Sequence, residues 1–210
     1  MNKFKFLMIV CLLGIASTVS AQFVNTNSSS MNSSSSDVSS WSGLRVSYHP
    51  VSIEDLDLTG ASIGYVKSFS ISNGTPIFVE TGANVSWVGG TVFEEPEDYE
   101  DIKLNVFSVN VPINLGYKLA FSNTASIFPF VGLTLRGNVV GNYSCDGEST
   151  NAFDDELEFL KLKRFQIGWQ VGVGANFNKL YIGASYGTDF SEILEDCKAT
   201  MPSLTIGFNF

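Results

Sequence analysis

Hydrophobic and polar residues alternate along much of the chain. From Phe165 to Phe177 the odd positions are Phe165, Ile167, Trp169, Val171, Val173, Ala175 and Phe177, and the even ones are Gln166, Gly168, Gln170, Gly172, Gly174 and Asn176. After Asn178 and Lys179 the alternation resumes, with Leu180, Ile182, Ala184, Tyr186 and Phe190 against Gly183, Ser185, Gly187 and Asp189. A period of two sends successive side chains to opposite faces of a strand, and two such runs around a two-residue turn predict a β-hairpin. The second face is small and neutral where a sheet turned to water would carry Lys, Glu and Thr. One face suits hydrocarbon and the other a crowded polar interior.

Six further segments repeat the pattern. Gly43 to Pro50 sets Leu44, Val46 and Tyr48 against Arg45, Ser47 and His49, and Leu58 to Phe69 sets Ala61, Ile63, Tyr65 and Phe69 against Gly60, Ser62, Gly64 and Ser68. Ile77 to Val88 turns Val79, Ala83, Val85 and Trp87 outward and Glu80, Gly82, Asn84 and Ser86 inward. Leu104 to Leu119 turns Phe107, Val109, Val111, Ile113, Leu115 and Tyr117 outward, and Pro112 inside it predicts a bulge or local twist. Ile127 to Val140 carries Val131, Leu133 and Leu135 outward and Thr134, Arg136 and Asn138 inward, and Leu204 to Phe210 closes the chain.

These eight segments are separated alternately by short turns and by longer acidic stretches: 51–57, TVFEEPEDYED, GNYSCDGESTNAFDDELEFLK and 191–198. Within the third, Asp154 to Lys161 has the composition of a short helical turn. An even strand count and this asymmetry predict an all-β fold, an eight-stranded antiparallel up-and-down transmembrane β-barrel with extracellular loops at one end and both termini in the periplasm. A soluble lipocalin-like barrel would need polar strand exteriors, which the Gly-rich second face does not supply.

Composition sharpens the address. With 44% hydrophobic residues, 16% charged and 19 glycines in 210 residues, the chain suits one domain, and beyond the N-terminus no apolar run is long enough for a membrane helix. Lys3 and Lys5, the apolar stretch Phe6 to Ile15 and the small residues Val19-Ser20-Ala21 predict a signal peptide over 1–21. Cys11 lies in that stretch without the small residue a lipidation site needs before it. A Ser/Asn-rich leader over 22–41 should be flexible, with the barrel over 42–210. Without Lys3 and Lys5 the chain has 10 basic and 21 acidic residues, a net charge of −11 by count, which argues against nucleic acid.

Three places resemble a known family. Asn110-Val111-Pro112-Ile113-Asn114-Leu115-Gly116-Tyr117-Lys118-Leu119 is similar to an I/V-P-L/I-x-L-x-Y-K motif, and Phe128-Pro129-Phe130-Val131-Gly132 to a P-[YF]-x-G strand start. The hairpin from Gly168 to Ile193 and the terminal Phe210 complete the likeness. Together they resemble the PorT-like outer membrane protein beta-barrel domain family of Bacteroidota, small barrels of the OmpA/OmpX type. The resemblance implies the architecture and insertion into the outer membrane, and it brings no catalytic signature.

The candidate chemistry is sparse. His49 is the one histidine, and without a G-x-S-x-G or other nucleophile motif it reads as an inward structural residue. The acidic clusters 94–101, 146–158 and 192–196 lack Ca²⁺-loop spacing, so no cofactor or metal is expected. The lumen charges should pair, Arg45 with Glu80 near the periplasmic turns and Arg136 with Asp189 near the other end, because a lone charge in a narrow lumen is costly. Outward aromatics should mark the two interfaces: Trp87, Phe107, Phe165 and Phe190 on the outside, and Phe69, Tyr117, Phe177 and Phe210 on the periplasmic side. Lys103, Lys161, Lys163, Arg164 and Lys198 fall where loops rejoin strands, at the level of lipopolysaccharide phosphates.

Cys145 and Cys197, in neighbouring extracellular loops, are candidates for a disulfide, with two free thiols as the competing reading. The expected role is a non-enzymatic outer-membrane barrel, structural or surface-interacting, acting as a monomer among outer-membrane lipid and lipopolysaccharide with a surface or envelope protein as partner. The alternative is a lipid-modifying enzyme or a narrow port for a small hydrophobic molecule. An eight-stranded lumen is nearly filled by side chains, which argues against a conducting pore.

Overall fold

The computed structural model describes residues 41–53, 56–71, 75–93, 102–122, 124–145, 148–154, 161–190 and 199–210. The strands are β1 (Ser42–Ile53), β2 (Leu56–Ser70), β3 (Ile77–Phe93), β4 (Ile102–Tyr117), β5 (Leu119–Ala120), β6 (Ala125–Cys145), β7 (Glu148–Asn151), β8 (Phe165–Phe177), β9 (Leu180–Asp189) and β10 (Ala199–Asn209). Eight of them form the wall in the order β4-β3-β2-β1-β10-β9-β8-β6, every neighbour antiparallel, and β4 pairs β6 to close the ring. β5 extends the β4–β6 ladder by two pairs and β7 folds back on β6. The fold is a closed eight-stranded antiparallel β-barrel. The predicted signal peptide and nearly all of the leader lie outside the described residues.

Register fixes which side chains enter the lumen. Leu44, Val46, Tyr48, Ile63, Val85, Val109, Ile113, Leu133 and Ile206 are all exposed on the outer wall, whereas Arg45, Glu80, Ser86, Asn110, Asn114 and Asp189 are buried inside. Trp87 and Trp169 share the outer parity: Trp87 pairs with outward Phe107, and Trp169 packs 6.3 Å from the Tyr186 ring. The eight aromatics assigned to the two girdles are exposed at the outer surface.

In the tight turn of the β8–β9 hairpin, Phe177 pairs with Leu180 and Asn178 adopts a positive φ of 57°, a conformation that Asn tolerates better than most residues.

The strands outrun the sequence-based boundaries at the end opposite the termini, here the long-loop end. β1 and β2 stay paired up to Ile53 and Leu56, so most of the expected loop over 51–57 is ladder. β3 continues to Phe93, and β6 runs 21 residues, about twice the roughly ten that a tilted membrane strand needs. The stretch read as the longest loop begins as a hairpin, with Asn142 paired to Asn151 and Cys145 to Glu148. Most of the segment read as a helical turn, 155–160, lies outside the described residues. The physical reason for the extra length is a change of inward chemistry. Val51, Ile53, Leu58, Val92, Leu104, Val106, Tyr143 and Leu162 form a buried apolar cluster there, completed by Ala152, Phe153 and Ala199.

Pro112 also departs from expectation. The β3–β4 ladder pairs Thr81 with Ile113 and Asn84 with Asn110 in one register and skips the positions between, so the proline interrupts pairing without shifting it. The bulges lie elsewhere, between Thr91 and Phe93 on β3 and where Phe107 and Ser108 face Val140 and Asn138.

Candidate functional site

The lumen is stacked in three layers. At the short-turn end an aromatic plug closes the barrel: Phe78, Phe128 and Tyr181 are buried together, with Trp41 and Phe130 packed against them. Trp41 and Phe78 rings stand 4.6 Å apart edge to face, and Phe78 and Phe128 5.4 Å apart. Trp41, assigned to the leader from sequence, belongs to the barrel. Its amide donates to Ser68 Oγ at 3.0 Å and its Nε1 to Glu80 Oε2 at 3.2 Å. The small inward residues explain how such rings fit, since a side chain at Gly116 would meet Phe78 and one at Gly174 would meet Phe128. The signal the sequence carries for this plug is the placing of Phe78, Phe128 and Tyr181 on the otherwise small parity of their strands.

Above the plug lies a polar layer. Arg45 Nη2 is 3.9 Å from Glu80 Oε2 and donates to Asn209 Oδ1 at 2.8 Å, while its guanidinium lies 3.9 Å from the Tyr181 ring centroid. Arg136 is held by four groups: Nη1 donates to Asp189 Oδ2 and Gln166 Oε1, both at 3.1 Å, Nε to Asn110 Oδ1 at 3.2 Å, and Nη2 to Met201 Sδ at 2.8 Å. Asn110 in turn donates to Asn84 Oδ1 and Ser86 Oγ, so the network joins strands on opposite sides of the barrel. Gln166 is 1% exposed, and its Nε2 has no partner among the described residues. Two oppositely charged pairs, each hydrogen-bonded further, limit the penalty of burying four charges.

His49 faces the same lumen, over Gly60, where a side chain would collide with the imidazole. It lines a cavity of about 200 Å³ whose lower wall includes Arg45, Glu80, Asn110 and Arg136 and whose upper wall includes Val51, Leu58, Val106 and Leu162. Among the described residues no hydroxyl or carboxylate is hydrogen-bonded to that imidazole.

The third layer is the apolar cluster at the long-loop end. Burial there pushes the Tyr143 phenol up to about 12. Lys103, Lys161, Lys163 and Arg164 are exposed around this section, Arg164 lying 4.2 Å from the Phe153 ring centroid. Lys198 and Cys197 lie outside the described residues, so the structure does not bring Cys145 and Cys197 together or apart. Most of the three acidic clusters also falls outside, and among the described residues no group of three His, Cys, Asp or Glu side chains converges as metal ligands.

Comparison with known proteins supplies the family. Among curated proteins none matches the sequence. Similar solved structures include Ail, the attachment invasion locus protein of Yersinia pestis, in complex with the heparin analogue sucrose octasulfate: identity is 19%, TM-score 0.42, and 82% of this chain and 98% of that one are covered. Neisserial surface protein A has 12% identity and a TM-score of 0.45, over 81% of this chain and 97% of its own. The outer membrane enzyme PagL has 13% identity and a TM-score of 0.46, over 78% and 98%. At such identities none assigns an activity to this chain. The sequence itself matches the family described as outer membrane protein beta-barrel domain over residues 13–194, and the chain, an outer-membrane β-barrel, belongs to that family.

Proposed function

We propose that the protein is a non-enzymatic outer-membrane barrel that holds a packed head beyond the membrane for contact with a surface or envelope partner. The observation that carries this reading is the third layer. Strands that need only cross the membrane continue past it, turn apolar side chains inward and fold the β6–β7 hairpin over a core of their own. A wall built to that height presents a rigid surface, and paired lumen charges and an aromatic plug suit support better than flow. The lone His49, with no hydrogen-bonded nucleophile beside it among the described residues, favours this role over lipid modification.

In this reading the short-turn end and both termini are periplasmic, the head is extracellular and the barrel acts as a monomer. Lys103, Lys161, Lys163, Arg164 and Lys198 meet lipopolysaccharide phosphates, where charge-assisted contacts are strongest. The PorT-like placement within the family rests on the Asn110 to Leu119 and Phe128 to Gly132 motifs.

A photo-crosslinking residue at exposed Ser149, on β7, tests the role. On intact cells it should capture a discrete protein or polysaccharide adduct, while His49→Ala leaves the envelope lipid profile unchanged. Adducts to lipid alone, together with an altered lipid profile in His49→Ala, would turn the reading toward an enzyme. Neutralising the five cations should strip co-purifying lipopolysaccharide from the barrel.

A further inference from the structure

Among the described residues two ladders of the wall are interrupted at prolines, β3–β4 and β1–β10, and the second is closed by neither backbone nor side chain. Between β1 and β10 the ladder pairs Tyr48 with Leu204 and Ser52 with Thr200, and no pair forms between these two. The register sets Pro50 opposite Pro202 in that gap, and neither has an amide hydrogen to donate. The break is confined to this seam, because β1 pairs with β2 at every residue from Ser42 to Ile53 and β10 with β9 from Thr200 to Phe208.

Pro112 shows what a sealed interruption looks like. There the outward Thr81 Oγ1 donates to the Pro112 carbonyl at 2.9 Å and satisfies it on the lipid side. At the β1–β10 seam no side chain among the described residues donates to the carbonyl of Pro50 or Pro202. Polar backbone left unsatisfied against hydrocarbon costs free energy, so this is where the wall parts most easily.

Height and lining say what would enter. Below the gap, outward Tyr48 and Leu204 are 52% and 66% exposed to the membrane side, and above it the outer wall turns to Ser52 and Thr200. The gap therefore sits at the edge of the acyl region in the leaflet at the long-loop end. The inward residues of the gap, His49, Val51, Met201 and Ser203, all line the lumen cavity, whose roof above them is apolar. A cavity of about 200 Å³ under that roof is room for the end of a hydrocarbon chain.

We propose that the lumen takes up the end of a single hydrocarbon chain from that leaflet, through a lateral opening between Pro50 and Pro202, under the apolar roof next to Met201. This goes beyond the surface-contact role and stands without it.

The full mature protein in phosphatidylcholine vesicles tests the site, with a chain-end diazirine carried in one arm by the phosphatidylcholine and in the other by a free fatty acid. Photolysis and peptide mass spectrometry should place adducts on luminal Val51 and Met201 as well as on outward Leu204. Luminal labelling by the phospholipid assigns the chain to membrane lipid, and luminal labelling by the fatty acid alone assigns it to a free acid.

Pro50→Ala/Pro202→Ala returns two donors to the seam and should lower luminal labelling at least about ten-fold, or about 1.4 kcal/mol on the opening equilibrium, with Leu204 labelling unchanged. Should that variant fail to fold, Ser203→Leu, which fills the entrance from inside and leaves the ladder alone, should give the same loss. Adducts confined to outward residues in the parent protein, or luminal adducts undiminished in the folded variants, would overturn the proposal.

Discussion

The same strands are built to opposite rules at two heights. In the membrane belt, β4 turns Phe107, Val109, Ile113 and Leu115 outward and Ser108, Asn110 and Asn114 inward. A few residues earlier, at the long-loop end, it turns Lys103 and Asn105 outward and Leu104 and Val106 inward. The parity of the strand never changes. What changes is the solvent outside, hydrocarbon at one height and water at the other, and the apolar residues exchange faces accordingly. β3 makes the exchange between Trp87 and Val88, β1 between His49 and Val51, and β2 between Leu58 and Gly60. On the proposed reading, the wall that crosses the membrane continues beyond it with its apolar residues turned inward.

Breaking the polar lumen should have the largest effect. Asp189→Ala leaves the Arg136 guanidinium in the lumen with amide and thioether acceptors only, and removing one member of a buried pair typically costs about 3–5 kcal/mol. Arg136→Met combined with Asp189→Leu should recover most of the loss, since both charges leave together. Urea unfolding in phospholipid vesicles measures both. A double variant as unstable as the single one would mean that the wider network with Asn110 and Gln166, and not the charge pair, holds this layer.

The apolar layer should respond almost as strongly, for a different reason. Leu162 is 1% exposed inside the upper cluster, and Leu162→Ala removes buried methyl groups and leaves a cavity, at about 2–5 kcal/mol. The damage should be local: hydrogen exchange should accelerate along 141–153 and leave the belt amides of β8 and β9 protected. Uniform acceleration around the barrel would make the two sections a single cooperative unit.

A matched pair on one face of β4 tests the exchange of faces directly. Ile113→Lys puts an ammonium against hydrocarbon and should cost about 2–4 kcal/mol, whereas Lys103→Ile, at an exposed site ten residues away on the same face, should stay within about 0.5 kcal/mol. Equal costs in the same vesicles would mean that the membrane boundary does not lie between Lys103 and Ile113.

Much of the belt was legible from sequence, because period-two alternation between an aliphatic face and a small, neutral face suits few folds besides a membrane barrel. Leu44, Val46, Val85 and Trp87 lie on the faces their parity assigned, and the fold class follows from eight such runs. The head is not legible in the same way, because the apolar residues change parity where it begins. Val51 and Ile53, or Val88 and Val92, break an outward-apolar pattern while keeping the alternation intact, and nearby acidic and glycine residues made the stretches read as loops.

The plug was missed for a related reason. Phe78, Phe128 and Tyr181 occupy the inward parity, and only the registers of neighbouring strands show that glycines face them. The proline seam is likewise invisible along one strand. Pro50 and Pro202 are 152 positions apart and become opposite each other only when the ring closes.

The smallest expected effect concerns how the belt treats its own backbone. Thr81 lies on the lipid face, where a hydroxyl is out of place, and its Oγ1 donates to the carbonyl that Pro112 leaves outside the ladder. Thr81→Val keeps the shape, so two terms compete. Removing a hydroxyl from hydrocarbon is favourable, but stranding a carbonyl there costs about 1–3 kcal/mol and should win. The net loss should be about 1 kcal/mol in vesicles. At Thr59, exposed on the same outer wall but beyond the belt, the identical change should stay within about 0.5 kcal/mol, because water can serve whatever the hydroxyl leaves. If Thr81→Val stabilised the barrel, the Pro112 carbonyl would have to be satisfied some other way, and the contrast between a sealed proline at β3–β4 and an unsealed pair at β1–β10 would go with it.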